Sequence, residues 1–278
     1  MYQTHEALLF GRRRSFPFLI AAHRGIPSSG SVVQNTLLAA RVALQEGADI
    51  VELDLAQSKD GVYFAFHTGF EQTLLGTKGQ FAQMSTQEIE GTGYRNEVRN
   101  RLHHGPERME QLLPGLRGTC LVNIDRAWLG TDFDHVLGWL ESLHMEEQVV
   151  VKTPVEEPYL SIMERHSCMF MPILREPGQW EVAKNRHLNI VAVECQWREK
   201  ESPLAQRDFL DELHQAHVLA WANALHLSDD FTLSAWADDY ASLSAGPDEG
   251  WGILTQAGFD IIQTDFPFLL DKWRRNSR

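Results

Sequence analysis

Short apolar runs of strand length recur along the chain, at 18–22, 50–55, 62–66, 120–124, 149–151, 169–173, 190–193, 218–222 and 260–263. These nine candidates are one too many for a closed eight-stranded barrel. The surplus resolves at Ser58-Lys59-Asp60-Gly61. A parallel crossover takes a dozen or more residues, so a turn this short predicts an antiparallel hairpin between 50–55 and 62–66. Removing the return strand leaves eight. The segments between the others have helical periodicity: 36–46, with Leu37, Leu38, Val42 and Leu44 along it, and 204–217. Strand and helix in alternation predict a parallel sheet with helices outside, and eight such units predict an α/β TIM (β/α)8 barrel. One stretch, 68–118, breaks the rhythm with seven Gly or Pro residues from Gly69 to Pro106. Loops of such length are usually functional or carry small elements of their own, so an excursion over the C-terminal mouth of the barrel is expected. No repeat, low-complexity tract or Ser/Gly-rich linker divides the chain, and residues 1–278 are expected to form a single domain.

Charge narrows the partners. Against 38 Asp and Glu there are 25 Lys and Arg, a formal charge of -13. That sign repels a polyphosphate backbone, so no nucleic acid partner is expected. Phosphate chemistry in such a protein must come from a metal or from a few placed cations. Cys120, Cys168 and Cys195 are odd in number, lack CxxC spacing and lie in apolar surroundings. They read as buried free thiols, which points to a reducing, cytoplasmic location. Arg12-Arg13-Arg14 followed by 16–22 imitates a signal peptide. The apolar part is short, contains Pro17 and runs straight into His23-Arg24-Gly25, so it is read as a barrel strand. No run is long enough for a transmembrane segment.

Catalytic groups of a TIM barrel sit at the carboxyl ends of its strands. The first strand ends in His23-Arg24-Gly25, and the second carries Glu52 and Asp54 on one face by its period of two. The hairpin returns through Phe66-His67 toward Glu52, and the following strand ends in Ile124-Asp125. Two histidines, one arginine and three carboxylates therefore converge on one mouth. Glu194 is divided between this site and a surface or ion-paired residue, and Trp221 between barrel core and pocket wall. His103-His104 and the His214/His217 pair lack a third partner at zinc-ligand spacing. G-x-S-x-G, H-E-x-x-H, P-loop and G-x-G-x-x-G patterns are absent from the sequence.

These blocks resemble the glycerophosphodiester phosphodiesterase family. Ala22-His23-Arg24-Gly25, Asn35-Thr36, Gly47-Ala48-Asp49-Ile50-Val51-Glu52-Leu53-Asp54, Lys59-Asp60-Gly61 and Phe66-His67 match its HRG, ENT, GAD-x-(V)ELD, KDG and (F)HD pattern in order. Ala220-Trp221-Ala222-Asn223 and Gly258-Phe259-Asp260-Ile261-Ile262-Gln263-Thr264-Asp265-Phe266-Pro267 look like its V-W-x-x-N and closing G-x-D-x-I-x-T-D-x-P strands. The resemblance implies a TIM barrel that hydrolyses glycerophosphodiesters to glycerol phosphate and an alcohol, in lipid and glycerol metabolism. His23 and His67 match the acid/base pair. Glu52, Asp54 and Asp125 match the ligands of one divalent cation, and oxygen-only ligation suits Mg²⁺ or Ca²⁺. Arg24 is expected to offer a forked donor to a small-molecule phosphodiester substrate, with Lys152 and Trp221 also at the substrate. Three positions depart from the pattern: Gln34 stands where the family has Glu, Thr68 where it has Asp, and Asp125-Arg126-Ala127 where it has Glu-x-Lys. Lys152, ending the next strand, is expected to replace the missing lysine. The departures keep open a phospholipase D-like activity on a lysophospholipid or another head-group diester, and a catalytically dead phosphodiester-binding barrel.

Overall fold

A computed structural model describes residues 5–276 of the chain. Twelve strands follow in order: β1 Leu19–Ala22, β2 Ile50–Gln57, β3 Tyr63–Ala65, β4 Glu107–Arg108, β5 Leu121–Asp125, β6 Val149–Pro154, β7 Met169–Leu174, β8 Ala192–Cys195, β9 Leu219–Asn223, β10 His226–Ser228, β11 Phe231–Thr232 and β12 Ile261–Thr264. Eight of them, β1, β2, β5 to β9 and β12, pair in parallel. The ring closes where β1 pairs with β12 at Leu19↔Ile261 and with β2 at Ala21↔Ile50. This is the α/β TIM barrel, and β3 returns antiparallel on β2 with Leu55 opposite Ala65, as the Lys-Asp-Gly turn predicts. β4 extends that hairpin, and β10 and β11 form a small hairpin after β9.

Strand periodicity sorts the side chains. Outward positions such as Val51, Leu53, Val122, Ile124 and Val151 join the buried layer beneath the helices. Inward positions Leu19, Ala21, Ile50, Leu121, Val150, Met169, Met171 and Trp221 fill the lower barrel. Helix Leu37–Gln45 forms within the predicted span 36–46, with Leu37 and Leu44 packed against the core. Ala39, Ala40 and Ala43 are buried, whereas Leu38 is exposed. Gly25, at φ +76°, explains the small residues: a Cβ there would lie 2.8 Å from the Ala39 carbonyl carbon. The predicted helix 204–217 is broken at Gln206 into a short turn Pro203–Ala205 and helix Arg207–Gln215.

Segment 68–118 is not one excursion. Its first part carries a core of its own, with Leu74, Leu75, Phe81, Ile89 and Tyr94 packed on Phe64 and Phe66 of the hairpin. Phe66 and Phe81 stack at 4.5 Å, and the buried Glu71 accepts hydrogen bonds from the Gly69 and Phe81 amides. From Glu107 the chain is back on the barrel, as β4 and helix Met109–Gly115, whose Met109, Leu112 and Leu113 pack into the layer under the helices.

Helix His5–Ser15 covers the opposite end of the barrel, with Leu9 in the interior cluster. Two of the arginines that resemble a signal-peptide basic region are spent there on carboxylates at strand starts. Arg12 meets Asp49 at 3.0 Å and Arg13 meets Asp260 at 2.8 Å. All three cysteines are buried and free. Among the described residues, no helix is long and apolar enough to cross a membrane.

Candidate active site

Toward the carboxyl ends of the strands the inward positions turn from apolar to polar. The same alternation that puts Ile50, Leu121, Val150 and Trp221 inside continues upward to Glu52 and Asp54, Asn123 and Asp125, Lys152, and Asn223. Glu194 on β8 and Gln263 on β12 join this layer, and all but Asp125 are nearly inaccessible. Register aligns Glu52 with Asn123 and Asp54 with Asp125 across the β2/β5 pair. Oxygens of Glu52, Asp54 and Asp125 thereby come within 4.8 Å of one another, a spacing able to hold one cation.

Each carboxylate is aimed by its neighbours. Glu52 Oε2 accepts from the Arg24 amide at 2.8 Å. Asp54 Oδ2 accepts from the Asn35 amide nitrogen at 2.8 Å, while Asn35 Oδ1 accepts from the Asp54 backbone at 3.0 Å. Asn35 reaches that position at φ +59°, where Asn is one of the better-tolerated side chains. Asp125 Oδ2 lies 3.1 Å from Lys152 Nζ, which also donates to Glu194 at 2.9 Å. Glu194 in turn accepts from Asn223 and Gln196, so the charge of Lys152 is shared with β5 and β8. Burial, then the nearby Asp54 charge, pushes Glu52 up to about 7. Burial pushes Asp125 up as well, against the opposing charge of Lys152. Carboxylates crowded and desolvated in this way suit a divalent cation, and the all-oxygen donor set suits a hard one.

The two histidines sit in contrasting surroundings. His23, directly after β1, accepts or donates through Nδ1 to Asp265 Oδ1 at 2.8 Å. Burial opposes its protonation, but the hydrogen bond and charge of Asp265 outweigh it and the His23 pKa is raised. His67 returns on the hairpin beside Asp54, and the Phe66 amide bonds the Asp54 carbonyl at 3.1 Å. Burial, with the Arg24 and Arg126 charges beside it, pulls His67 down to about 4 despite Asp54. Its Nδ1 has no hydrogen-bond partner among the described residues.

Arg24 stands at φ +53° with Nε 3.1 Å from Asp54 Oδ2, a charge contact without aligned hydrogen-bond geometry. Its guanidinium lies over the Phe70 ring. Trp221 is 1% exposed, in the barrel interior with Nε1 donating to Asn223, so of its two readings the core is the one the packing favours. Gln34 is buried with Nε2 unpartnered among the described residues. Asn35, Asn223 and Asp265 were within the matched motifs without being assigned roles. Arg126 had only its place after Asp125 as a signal.

Comparison with known proteins places this architecture. The family model described as glycerophosphoryl diester phosphodiesterase family matches residues 23–162, half of the chain. The chain belongs to that family. It is therefore a phosphoric diester hydrolase of the glycerophosphodiester phosphodiesterase class. A second model, a domain of unknown function, matches residues 170–274. Among solved structures, the chain is similar to a glycerophosphoryl diester phosphodiesterase from Parabacteroides distasonis ATCC 8503. The two are 17% identical over 94% of this chain and 86% of that one, with a TM-score of 0.73. The glycerophosphodiester phosphodiesterase of Agrobacterium tumefaciens str. C58 is 22% identical, over 91% and 98%, with a TM-score of 0.64. An Oleispira antarctica phosphodiesterase, solved in complex with the product sn-glycerol-3-phosphate, is 16% identical over 94% and 98%, with a TM-score of 0.62. At these identities the structural likeness carries the fold.

Proposed function

We propose that the protein hydrolyses glycerophosphodiesters to glycerol phosphate and an alcohol, using His23 and His67 beside one divalent cation held by Glu52, Asp54 and Asp125. The observation that carries this reading is the convergence of three carboxylates within 4.8 Å and two histidines with oppositely displaced pKa values at one barrel mouth. When bound, Mg²⁺ or Ca²⁺ neutralises charge on the phosphoryl oxygens. The chain's own residues handle the protons. His67, held neutral, takes the proton of the attacking hydroxyl as its oxygen bonds phosphorus. His23, whose protonation Asp265 favours, gives its proton to the departing alkoxide as the other P–O bond breaks. Asn35 and the Arg24 amide hold the carboxylates in place.

Release of glycerol 3-phosphate from glycerophosphocholine, abolished by EDTA and restored by Mg²⁺ or Ca²⁺, is the expected result. Glu52→Ala and Asp54→Ala should remove that activity with the barrel still folded. Metal-independent turnover, or full activity in either variant, overturns the ligand assignment. No turnover of any diester with metal bound restores the dead-barrel reading.

A second substrate reading rests on the other side of Asp265. A pocket of about 410 Å³ is walled there by Tyr240, Leu243 and Phe266, whose side chains are exposed, together with His226 and Ser244. That apolar wall favours a diester with an apolar tail, such as a lysophospholipid. Faster choline release from lysophosphatidylcholine than from glycerophosphocholine supports it, and the reverse order supports the first substrate. The three buried thiols suit a reducing compartment, and we place the protein in the cytoplasm on that ground.

A further inference from the structure

Lys152, Arg24 and Arg126 border the carboxylate cluster, and they differ in how their charge is used. Lys152 is enclosed between Glu194 and Asp125. Arg24 faces Asp54. Arg126 forms no ion pair among the described residues, and its Nη2 donates only to the neutral Thr68 hydroxyl at 3.0 Å. Of these three, Arg126 alone is left without a carboxylate; Arg175 after β7 and Arg198 after β8 also form no ion pair among the described residues, but they line a separate pocket with Trp197 and Phe231.

Its placement suits an incoming anion. The Arg126 amide bonds Asp125 Oδ1 at 2.6 Å, so the residue is anchored on a candidate metal ligand. The guanidinium then spans to Thr68, the residue after His67, near enough for its charge to oppose protonation of that histidine. A left-handed backbone at φ +60° makes this crossing, closed by the Leu129 amide on the Arg126 carbonyl at 2.9 Å. Such a conformation is uncommon for a long L side chain and concentrates at functional sites.

We propose that Arg126, rather than Lys152, is the second cation that receives the non-bridging oxygens of the phosphodiester. The proposal rests on the reading of the mouth as a metal phosphodiesterase site. A planar fork of donors matches a phosphoryl group in two contacts at once. Lys152 then has a different task, holding Asp125 and Glu194 in register.

The test compares wild type, Arg126→Met and Arg126→Lys, each loaded with Mg²⁺. It measures kcat/KM on glycerophosphocholine, calorimetric binding of glycerol 3-phosphate, and Mg²⁺ affinity. Arg126→Met is expected to lose roughly 10²-fold in kcat/KM, as for removal of one oriented transition-state donor, and to weaken glycerol 3-phosphate at least about tenfold. Mg²⁺ affinity and thermal midpoint should stay at wild-type values, and Arg126→Lys should recover part of the anion binding. Unchanged glycerol 3-phosphate affinity in Arg126→Met overturns the proposal even if turnover falls, because the residue then acts only through Asp125. If the wild type shows no hydrolysis, the phosphodiesterase reading fails separately, and anion binding still decides the role of Arg126.

Discussion

At the scale of single residues, the site is built by side chains that aim other side chains. Asn35 is the clearest case, because its carboxamide grips Asp54 through both the carboxylate and the backbone amide. Loss of a group that orients a ligand typically costs 10- to 100-fold in metal affinity or activity, so Asn35→Ala should weaken Mg²⁺ by roughly that factor. Titration calorimetry with Mg²⁺ reads it, and an unchanged affinity removes Asn35 from the site. Asp265 acts in the same indirect manner on a proton. It raises the pKa of His23, so a reaction that needs protonated His23 holds its rate to higher pH than a free imidazole would allow and loses it as pH rises through the raised value. In Asp265→Asn the charge is gone, the His23 pKa falls, and the high-pH limb of kcat/KM should move to lower pH. A limb that stays in place shows that another group supplies the proton. That His23, Glu52, Asp54, His67 and Asp125 meet at one mouth was legible in the sequence because each lies within or just after a short apolar strand. The roles of Asn35, Glu194 and Arg126 were not, since they depend on which strand end faces which across the mouth, a relation set by register and by left-handed turns.

At the scale of elements, the eight strands were legible because each is a short apolar run punctuated by helical segments. The helix Leu37–Gln45 was legible too, but not that Ala39, Ala40 and Ala43 form its most buried face, because that depends on the close approach of Gly25. The long segment after the hairpin was also hidden. Its apolar residues have no single period, because they converge on one small core instead of lining a helix or strand. In the proposed mechanism that core bears on catalysis through Phe66, which precedes His67 and stacks on Phe81. Truncating a fully buried Phe typically costs about 3–5 kcal/mol, and in Phe81→Ala the loss should fall on this segment. Amide hydrogen exchange is expected to speed up from Phe70 to Tyr94 while β5 to β9 keep their protection, and kcat should drop as His67 loses its support. Exchange that quickens evenly around the barrel would show that the segment has no separate stability.

At the scale of the whole molecule, the two ends of the barrel divide the charges between chemistry and folding. The mouth gathers carboxylates that lack enough cations, while the opposite end pairs its own almost completely. Arg274, 1% exposed, donates to Asp49 and Asp271 at 2.6 Å each and to the Phe18 carbonyl, and its guanidinium lies 4.2 Å from the Phe16 ring centre. One side chain of the C-terminal helix therefore ties together the start of β1, the loop before β2 and its own helix. Removing one partner of a buried pair costs about 3–5 kcal/mol, because the other charge is left desolvated. In Arg274→Met the penalty should fall near the lower bound, since Arg12 still faces Asp49 and Arg275 still faces Asp271. With roughly 2–4 °C of midpoint per kcal/mol for domains of 150–250 residues, the melting temperature is expected to drop by about 10 °C. Below that midpoint kcat/KM should equal the wild-type value, because the N-terminal end of a TIM barrel serves stability and the carboxyl end serves catalysis. Thermal melting and initial rates on one preparation separate the two, and a variant that loses activity while keeping its melting temperature would contradict the division.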